Sequence, residues 1–410
     1  MEQQFTNSGY EICDNTEIAD IYVINTCVVT NIAQRKSRQM INRAKQLNKN
    51  AKIVVCGCYA ETSKDELKAL ESVDLNLSDK DKKNIVEIVE NNISLDEEQE
   101  EKEYIEYGAV TYTEKNRAVI KIQDGCNMFC SYCIIPYARG RIRSRKLENI
   151  IDEIKQIAEK GIKEVVLTGI HIASYGVDFR DENIRLIDLI EEINKIDGIE
   201  RIRLGSLEPT VVTDEFLERL KKLSKVAHHF HLSLQSGCDD TLKRMNRKYT
   251  TKQFKDICDN IRKTYKDVNL TTDIIVGFPG ETEEEFKTTY DFLKDIKFYR
   301  MHVFKYSPRK GTVAEKMANQ VNGDIKEKRS KALIELSNDL ENNYNEMYLE
   351  KTIPVLFEEL EDGYYKGHTS NYIVVKVKKE DKIYDVIDKI VDVKIKSNDR
   401  DERELIGIFN

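Results

Sequence analysis

The sequence predicts an α/β protein with an N-terminal doubly wound α/β domain, a central partial (β/α)6 barrel and a small C-terminal antiparallel β-barrel. Three observations support this. Short apolar strands alternate with amphipathic helices over the first 340 residues, and polar or cysteine residues follow the strands. Near residue 350 the pattern changes to short β-rich stretches separated by glycines. The length of 410 residues fits two or three domains.

The N-terminal domain is predicted over residues 1–94. Ile21–Ile24 and Ile53–Val55 are short apolar strands separated by a helical stretch at 31–46, and Cys27 and Cys58 follow the two strands. A strand, a helix and a second strand, with reactive residues directly after each strand, are typical of doubly wound domains. The acidic run at 96–103 is interpreted as a solvated linker that ends this domain.

The central domain is predicted over residues 112–342, with active residues expected at the C-terminal ends of its strands. The candidate strands are Val119–Gln123, Glu164–Thr168, Arg201–Leu204, His229–Leu234, Asn269–Val276 and Tyr299–Phe304. The helices between them include Leu147–Lys160, Leu186–Lys195, Thr213–Leu223 and Glu283–Ile296. A charged helical connector at 325–350 leads to a C-terminal barrel over 350–410, with strands at Ile353–Glu359, Tyr372–Lys378 and Ile390–Ile395.

Cys126, Cys130 and Cys133 form a C-x3-C-x2-C cluster directly after the first central strand. Structural zinc sites and ferredoxin-type clusters usually use four protein ligands. Three thiolates on a four-iron cluster leave one iron open for a substrate or cofactor. A zinc site completed by a distant His or Cys is the alternative, and a disulfide framework is less favoured.

Composition favours an intracellular, cytoplasmic enzyme. No apolar run approaches 18 residues and the first residues lack a signal-peptide core, so no membrane association is expected. Nine cysteines, most of them in motif-like positions, fit metal ligation better than pairing. The net charge of −8 means that any nucleic-acid surface must be local.

Five further motifs carry a family resemblance. They read Val23-Ile-Asn-Thr-Cys27-Val-Val-Thr, Val54-Val-Cys-Gly-Cys58-Tyr-Ala, His231-Leu-Ser-Leu-Gln-Ser-Gly-Cys238, Asp273-Ile-Ile-Val-Gly-Phe-Pro-Gly-Glu281 and Tyr306-Ser-Pro-Arg-Lys-Gly-Thr312. With the cysteine loop and its continuation Ile134-Ile-Pro-Tyr-Ala-Arg-Gly140, they resemble the methylthiotransferase branch of the radical S-adenosylmethionine (SAM) enzymes. Within that branch the sequence is most similar to the MtaB type, which acts on threonylcarbamoyladenosine beside the tRNA anticodon.

The resemblance implies two 4Fe–4S clusters and SAM as cofactors. Cys126, Cys130 and Cys133 would hold the radical-forming cluster, next to Tyr132, and Cys27 and Cys58 would hold an auxiliary cluster that provides sulfur. The C-terminal barrel resembles a TRAM domain, an RNA-binding module. The implied partners are tRNA, a sulfur source and a low-potential electron donor of the flavodoxin or ferredoxin type. The same chemistry on another tRNA adenosine or a ribosomal protein residue stays open, as does a non-enzymatic, metal-containing RNA-binding protein.

The resemblance and the strand pattern nominate further site residues. The expected cofactor-binding residues are Tyr132 in the cysteine loop and, at strand ends, Gly169, Glu208, Gln235 and Asp273. The densest basic stretch is predicted to contact tRNA phosphates through Arg139, Arg141, Arg143, Arg145 and Lys146. His228, His229 and His231 are interpreted as strand residues and not as a metal site.

The N-terminus departs from the family pattern. The family begins with a strand and a Gly-Cys turn that supplies the first auxiliary ligand, and this chain is expected to lack both through truncation. Cys13 and Cys56 are interpreted as structural and not as substitute ligands, with Cys13 predicted to be a small buried residue in a strand.

Overall fold

The computed structural model describes residues 1–92, 103–107, 117–180, 182–379 and 386–409. The acidic run at 96–103 lies almost entirely outside the described residues. The chain divides into two compact units. Unit 1 comprises Met1–Tyr112, Asp124–Arg145 and Ser307–Lys316, and unit 2 comprises Thr113–Gln123, Lys146–Tyr306 and Met317–Asn410. The cysteine loop therefore groups with the N-terminal part of the chain.

The N-terminal elements form a three-stranded parallel sheet in the order β1-β2-β3, flanked by helices. In chain order they are α1 Glu2–Asn7, β1 Ile21–Thr26, α2 Asn31–Leu47, β2 Lys52–Gly57, α3 Cys58–Thr62, α4 Lys64–Lys68, β3 Leu75–Asn76 and α5 Ile85–Asn91, with a 3₁₀ turn at Lys80–Asn84. The Thr30 hydroxyl caps α2 by accepting a hydrogen bond from the Ala33 N–H at 3.1 Å. The predicted strand-helix-strand order of this domain is confirmed.

The central elements alternate strands and helices as the sequence predicts. They are β4 Arg117–Asp124, α6 Ile135–Arg139, β5 Arg143–Ser144, α7 Leu147–Glu159, β6 Glu164–Gly169, α8 Leu186–Asn194, β7 Arg201–Leu204, α9 Asp214–Leu220, β8 His229–Gln235, α10 Asp239–Arg244, α11 Thr251–Thr264, β9 Asn269–Val276, α12 Glu283–Ile296 and β10 Arg300–Lys305. Short 3₁₀ turns lie at Ile172–Ser174, Pro209–Val211 and Ala314–Lys316.

Within unit 2, six of these strands run parallel in two groups of three. β4 pairs with β6 and β6 with β7, while β8 pairs with β9 and β9 with β10. An isolated parallel bridge between Leu207 and Leu232 connects the two halves. Apolar residues on the inner faces of α7, α8, α9 and α11 cover the strands as one buried core. The partial (β/α)6 barrel predicted from the sequence is confirmed.

The C-terminal part is a closed barrel in the order β11-β12-β13-β15-β14, reached through the long helix α13. Its elements are α13 Gly323–Glu346, β11 Thr352–Glu361, β12 Tyr364–Thr369, β13 Val374–Lys378, β14 Ile390–Asp399 and β15 Glu404–Phe409. Two strands of this barrel, β12 and β15, have no counterpart among the predicted strands. Glycines at 367 and 407 fall inside them, and strand prediction treats glycine as a break.

Tyr372 docks this barrel on the central strands within unit 2. Its hydroxyl donates a hydrogen bond to the fully buried Glu164, and the Arg203 guanidinium lies 3.9 Å from the ring centroid. Burial raises the pKa of Tyr372 to about 12, so the hydroxyl keeps its proton. Arg201 approaches the second oxygen of Glu164 at 3.4 Å.

We expect Tyr372→Phe to lower the free energy of unfolding by about 1–3 kcal/mol, because one oxygen of a buried carboxylate loses its donor. Chemical denaturation followed by circular dichroism measures this. Tyr364→Phe, on a half-exposed strand position of the same barrel, is the control and should change stability little. Equal stability of Tyr372→Phe and the native protein would contradict the assigned role.

Candidate active site

The cysteine loop is held in shape by main-chain contacts within unit 1. The Cys126 N–H donates to the Gly140 carbonyl at 3.1 Å, and the Cys133 N–H donates to the Cys130 carbonyl at 2.9 Å. Gly125 has φ +70°, and a Cβ there would lie 1.8 Å from the Arg141 carbonyl oxygen. Only glycine fits this close approach, so the chain can fold back across the loop.

The three loop cysteines have little solvent exposure. Cys126 and Cys130 are each 9% exposed and Cys133 is half-buried. The Ala314 N–H donates to the Ser131 carbonyl at 2.8 Å, so the segment after the predicted Tyr306–Thr312 motif braces the loop. Three thiols on one short, braced loop match the donor set of an iron–sulfur cluster.

Cys27 and Cys58 lie at the ends of the adjacent paired strands β1 and β2. Cys27 is exposed, and Cys58 is half-buried at the first position of α3. Gly57 precedes it with φ +93°, and a Cβ there would lie 2.4 Å from the Thr26 carbonyl oxygen. The two strand ends therefore stay close, as parallel pairing predicts.

The spare cysteines fall in different environments. Cys56 is a fully buried residue of β2, and burial raises the pKa of its thiol. Both observations fit the predicted structural role. Cys13 is exposed and lies in no strand, so the prediction of a buried strand residue is wrong. The segment around it alternates like a strand but finds no pairing partner. Cys238 and Cys258 are buried barrel residues, as predicted.

Arg139 connects the cysteine loop segment to Cys58 within unit 1. Its Nε donates to the Cys58 Sγ at 3.3 Å, and its Nη1 donates to the Asp79 carboxylate and lies 3.7 Å from Asp124. Burial opposes the charge of Arg139, but Asp79, Cys58 and Asp124 together outweigh it, so the pKa of the guanidinium is raised. The side chain is only 15% exposed. Sequence reasoning missed this contact.

The other basic residues nominated for RNA divide into two groups. Arg143 pairs with Asp124 at 3.4 Å, and Arg145 is buried against Glu106 at 2.8 Å. Arg141 and Lys146 are exposed. The Arg141 guanidinium lies 4.7 Å from the Phe129 ring centroid, and Phe129 meets Tyr137 edge to face at 6.0 Å. Tyr137 is 59% exposed.

The nominated cofactor-binding residues of unit 2 lie where strands end, with one exception. Gly169 ends β6, and a Cβ there would lie 2.8 Å from the Gln123 carbonyl oxygen. Gln235 ends β8 with φ +71°, next to an irregularity in the β8–β9 pairing. Glu208 follows β7, is 4% exposed, and accepts a hydrogen bond from the Thr210 N–H at 2.9 Å.

Asp273 is the exception, because it lies three residues before the end of β9. Its Oδ2 is 3.2 Å from the His231 Nε2. His229 and His231 are strand residues, as predicted, and His228 lies just before the strand. His231 nevertheless joins a polar cluster with Asp273 and His302 that sequence reasoning missed.

Comparison with known proteins agrees with this geometry. Residues 120–293 match the Radical SAM superfamily, and residues 1–78 match the family described as uncharacterized protein family UPF0004. A relative from Bacillus subtilis, named threonylcarbamoyladenosine tRNA methylthiotransferase MtaB, is 41% identical over 96% of this chain and 89% of its own length. The chain belongs to the radical SAM tRNA methylthiotransferase family. Membership implies an enzyme that uses SAM and a 4Fe–4S cluster to transfer sulfur and a methyl group.

Two further comparisons, one with a curated relative and one with a solved structure, show how far this similarity extends. A Thermoanaerobacter relative named tRNA-2-methylthio-N(6)-dimethylallyladenosine synthase is 38% identical over 85% of this chain and 76% of its own length. Among solved structures, the radical SAM methyltransferase TsrM of Kitasatospora setae covers 70% of this chain and 62% of its own with a TM-score of 0.53 at 15% identity, a likeness of fold alone. No helix within the described ranges has the length and apolarity of a membrane span.

Proposed function

We propose that this enzyme converts threonylcarbamoyladenosine next to the tRNA anticodon to its 2-methylthio derivative. The observation that carries the proposal is the grouping, in one compact unit, of the three-cysteine loop with the Cys27 and Cys58 strand ends, joined by the 3.3 Å contact from Arg139 to the Cys58 Sγ. The choice of nucleoside is supported by the MtaB relatives, which include one from Aquifex aeolicus at 39% identity over 92% of both chains.

Two cofactor sites follow from this proposal. Cys126, Cys130 and Cys133 would hold the radical-forming 4Fe–4S cluster, and Cys27 and Cys58 would contribute to an auxiliary one. When bound, the cofactors supply a 5′-deoxyadenosyl radical for removal of hydrogen from C2 of the adenine, and sulfur and methyl for its replacement. A low-potential flavodoxin or ferredoxin and a separate sulfur source complete the requirements.

The residues of this chain would bind and position. Gly169 and Gln235 present backbone and side-chain groups at the carboxyl ends of their strands, where barrel enzymes bind ligands. The close approach of Gly125 to the Arg141 carbonyl and the Cys126 N–H bond to Gly140 fix the backbone that carries the loop thiols. Tyr132, half-buried between Cys130 and Cys133, would border the cofactor.

The exposed Arg141 and Tyr137, with the half-buried Phe129 between them, form a surface suited to single-stranded RNA. Unpaired bases stack on aromatic rings and on guanidinium planes. Because Arg139, Arg143 and Arg145 are engaged with acidic side chains, we assign phosphate contact chiefly to Arg141 and Lys146. The C-terminal barrel would contribute further RNA contacts as a TRAM-like module.

Replacing Arg141 and Lys146 together by Gln should weaken tRNA binding and flatten its salt dependence. Each lost phosphate contact should reduce the slope of log K against log salt by about 0.7–0.9. Tyr137→Ala should weaken binding by about 1–3 kcal/mol without changing the slope, because stacking is not ionic. Fluorescence anisotropy over a salt series measures both.

The control for this series is Lys252→Gln, which removes a charge from an 84% exposed side chain on α11. Its slope should equal that of the native protein. An unchanged slope in the Arg141 and Lys146 double variant would show that this surface does not face RNA.

The proposed activity is tested by nucleoside analysis. Total tRNA from a strain lacking this gene should lose 2-methylthio-threonylcarbamoyladenosine and accumulate its unmodified precursor, and the native gene should restore it. If only the 2-methylthio derivative of dimethylallyladenosine is lost, the enzyme acts on dimethylallyladenosine instead.

A further inference from the structure

Three neighbouring strands of unit 2 bring polar side chains together at mid-strand. His231 lies on β8, Asp273 on β9 and His302 on β10, and His302 is directly paired with Asp273 in the strand register. The His231 and His302 ring centroids are 5.6 Å apart. One ligand atom from each of the three residues lies within 4.8 Å of the others. We call these residues the His-Asp-His cluster.

A chain of hydrogen bonds fixes the protons of this cluster. The His231 Nδ1 lies 2.9 Å from the Thr271 Oγ1, which lies 3.1 Å from the His229 Nε2. The remaining nitrogen of His229, Nδ1, is buried and has no hydrogen-bond partner in the described part of the chain. An unpaired lone pair is tolerated there better than an unpaired N–H. His229 therefore donates to Thr271 and Thr271 donates to His231 Nδ1, which leaves the ring proton of His231 on Nε2, 3.2 Å from the Asp273 Oδ2.

This proton arrangement disfavours a metal ion in the cluster. A metal would need a lone pair on the His231 Nε2, which is the atom that carries the ring proton and faces Asp273. Freeing it reverses the chain and leaves a buried N–H on His229 without an acceptor, which is costly. The cluster is therefore better suited to hydrogen bonding than to coordination.

The cluster is open to a ligand. The Asp273 side chain is 28% exposed and His302 is exposed. Among the described residues, the second oxygen of Asp273 and the ring nitrogens of His302 have no hydrogen-bond partner. Partial desolvation of its ring lowers the pKa of His302, so the neutral ring offers one donor and one acceptor. Because both residues lie three positions before their strand ends, the cluster is about 10 Å from the carboxyl edge of the sheet.

We propose that the His-Asp-His cluster binds the polar N6 substituent of the target adenosine. This inference rests on the proposed function. A threonylcarbamoyl group carries N–H and O–H donors for Asp273 and oxygen acceptors for His302, and a dimethylallyl group carries neither. A site built to hydrogen-bond a substituent rejects the analogue that lacks it, since its own polar groups are then left unpaired. The cluster would thus set the choice between the two adenosine types.

The test compares binding of anticodon stem-loops that differ only in the threonylcarbamoyl group. The full-length protein should bind the modified stem-loop about tenfold or more tightly than the unmodified one, as expected for hydrogen bonds to a charged group. Asp273→Asn and His302→Phe should each lose most of this difference. Lys305→Gln, on β10 and paired with Glu327 on α13, should retain it. Thermal melting confirms folding, and the exposed His302 position tolerates substitution.

Each outcome decides between stated possibilities. If both variants keep the full affinity difference, the inference is overturned. If zinc copurifies with the native protein in a quantity that Asp273→Asn loses, the cluster is a metal site and the inference is also overturned. If the native protein does not methylthiolate tRNA carrying threonylcarbamoyladenosine, the proposed function is wrong. If it does, and both variants keep the full affinity difference, only the proposed role of the cluster is wrong.

Discussion

Cys126→Ala, Cys130→Ala and Cys133→Ala should each abolish reductive cleavage of SAM. Each thiol is one of three on a single braced loop, so the loss of one ligand should strongly destabilise the cluster. After anaerobic reconstitution, iron content should fall by about four per chain. Formation of 5′-deoxyadenosine, followed by chromatography with dithionite as reductant, should drop to background.

These variants should stay folded. The bonds from the Cys126 N–H to Gly140 and from the Cys133 N–H to Cys130 use main-chain atoms that alanine retains. The matched control is Cys13→Ala, which removes an exposed thiol from unit 1 and should change neither iron nor cleavage. Native production of 5′-deoxyadenosine by any one of the three loop variants would remove the central assignment.

Local sequence was sufficient for the cysteine loop and for most of the barrel. The loop spacing and the preceding strand are contiguous, and all six predicted central strands agree with the structure to within two residues at each end because their apolar alternation is local. The strand Asn269–Val276 and the helix Glu283–Ile296 match the prediction at both ends. Register between strands is not local, so the meeting of His231, Asp273 and His302 could not be predicted.

Side-chain partners distant in sequence were also beyond prediction. Taken by itself, the basic stretch 139–146 predicts an RNA-binding surface. In the structure, three of its arginines are paired with carboxylates in unit 1, and the sequence does not show these acidic partners. Asp79 lies 60 positions from Arg139, and nothing near either residue indicates the contact. Glu208 was nominated from its strand-end position, yet one of its oxygens caps a 3₁₀ turn.

Arg139→Gln should impair the Cys58 site more than the loop cluster. Arg139 donates to the Cys58 sulfur, and hydrogen bonds to cluster sulfurs raise reduction potentials, so their loss should shift the auxiliary potential downward. Methylthiolation should then fall more than SAM cleavage. Redox titration by electron paramagnetic resonance measures the reduction potential. The yields of methylthiolated nucleoside and of 5′-deoxyadenosine show which of the two activities falls more. Arg139→Lys keeps the positive charge but not the planar donor geometry. It should therefore restore more of the lost free energy of unfolding than of the lost reduction potential.

The same substitution should also weaken unit 1. Removing Arg139 takes one cation from the carboxylates of Asp79 and Asp124, both little exposed, beside which Lys82 and Arg143 remain. The expected loss is about 1–3 kcal/mol in the free energy of unfolding. Arg141→Gln is the control, because Arg141 is exposed two residues away and should change neither stability nor potential. If Arg139→Gln and Arg141→Gln behave alike in both measurements, Arg139 does not position the Cys58 site, and the two groups of cysteines act without this connection.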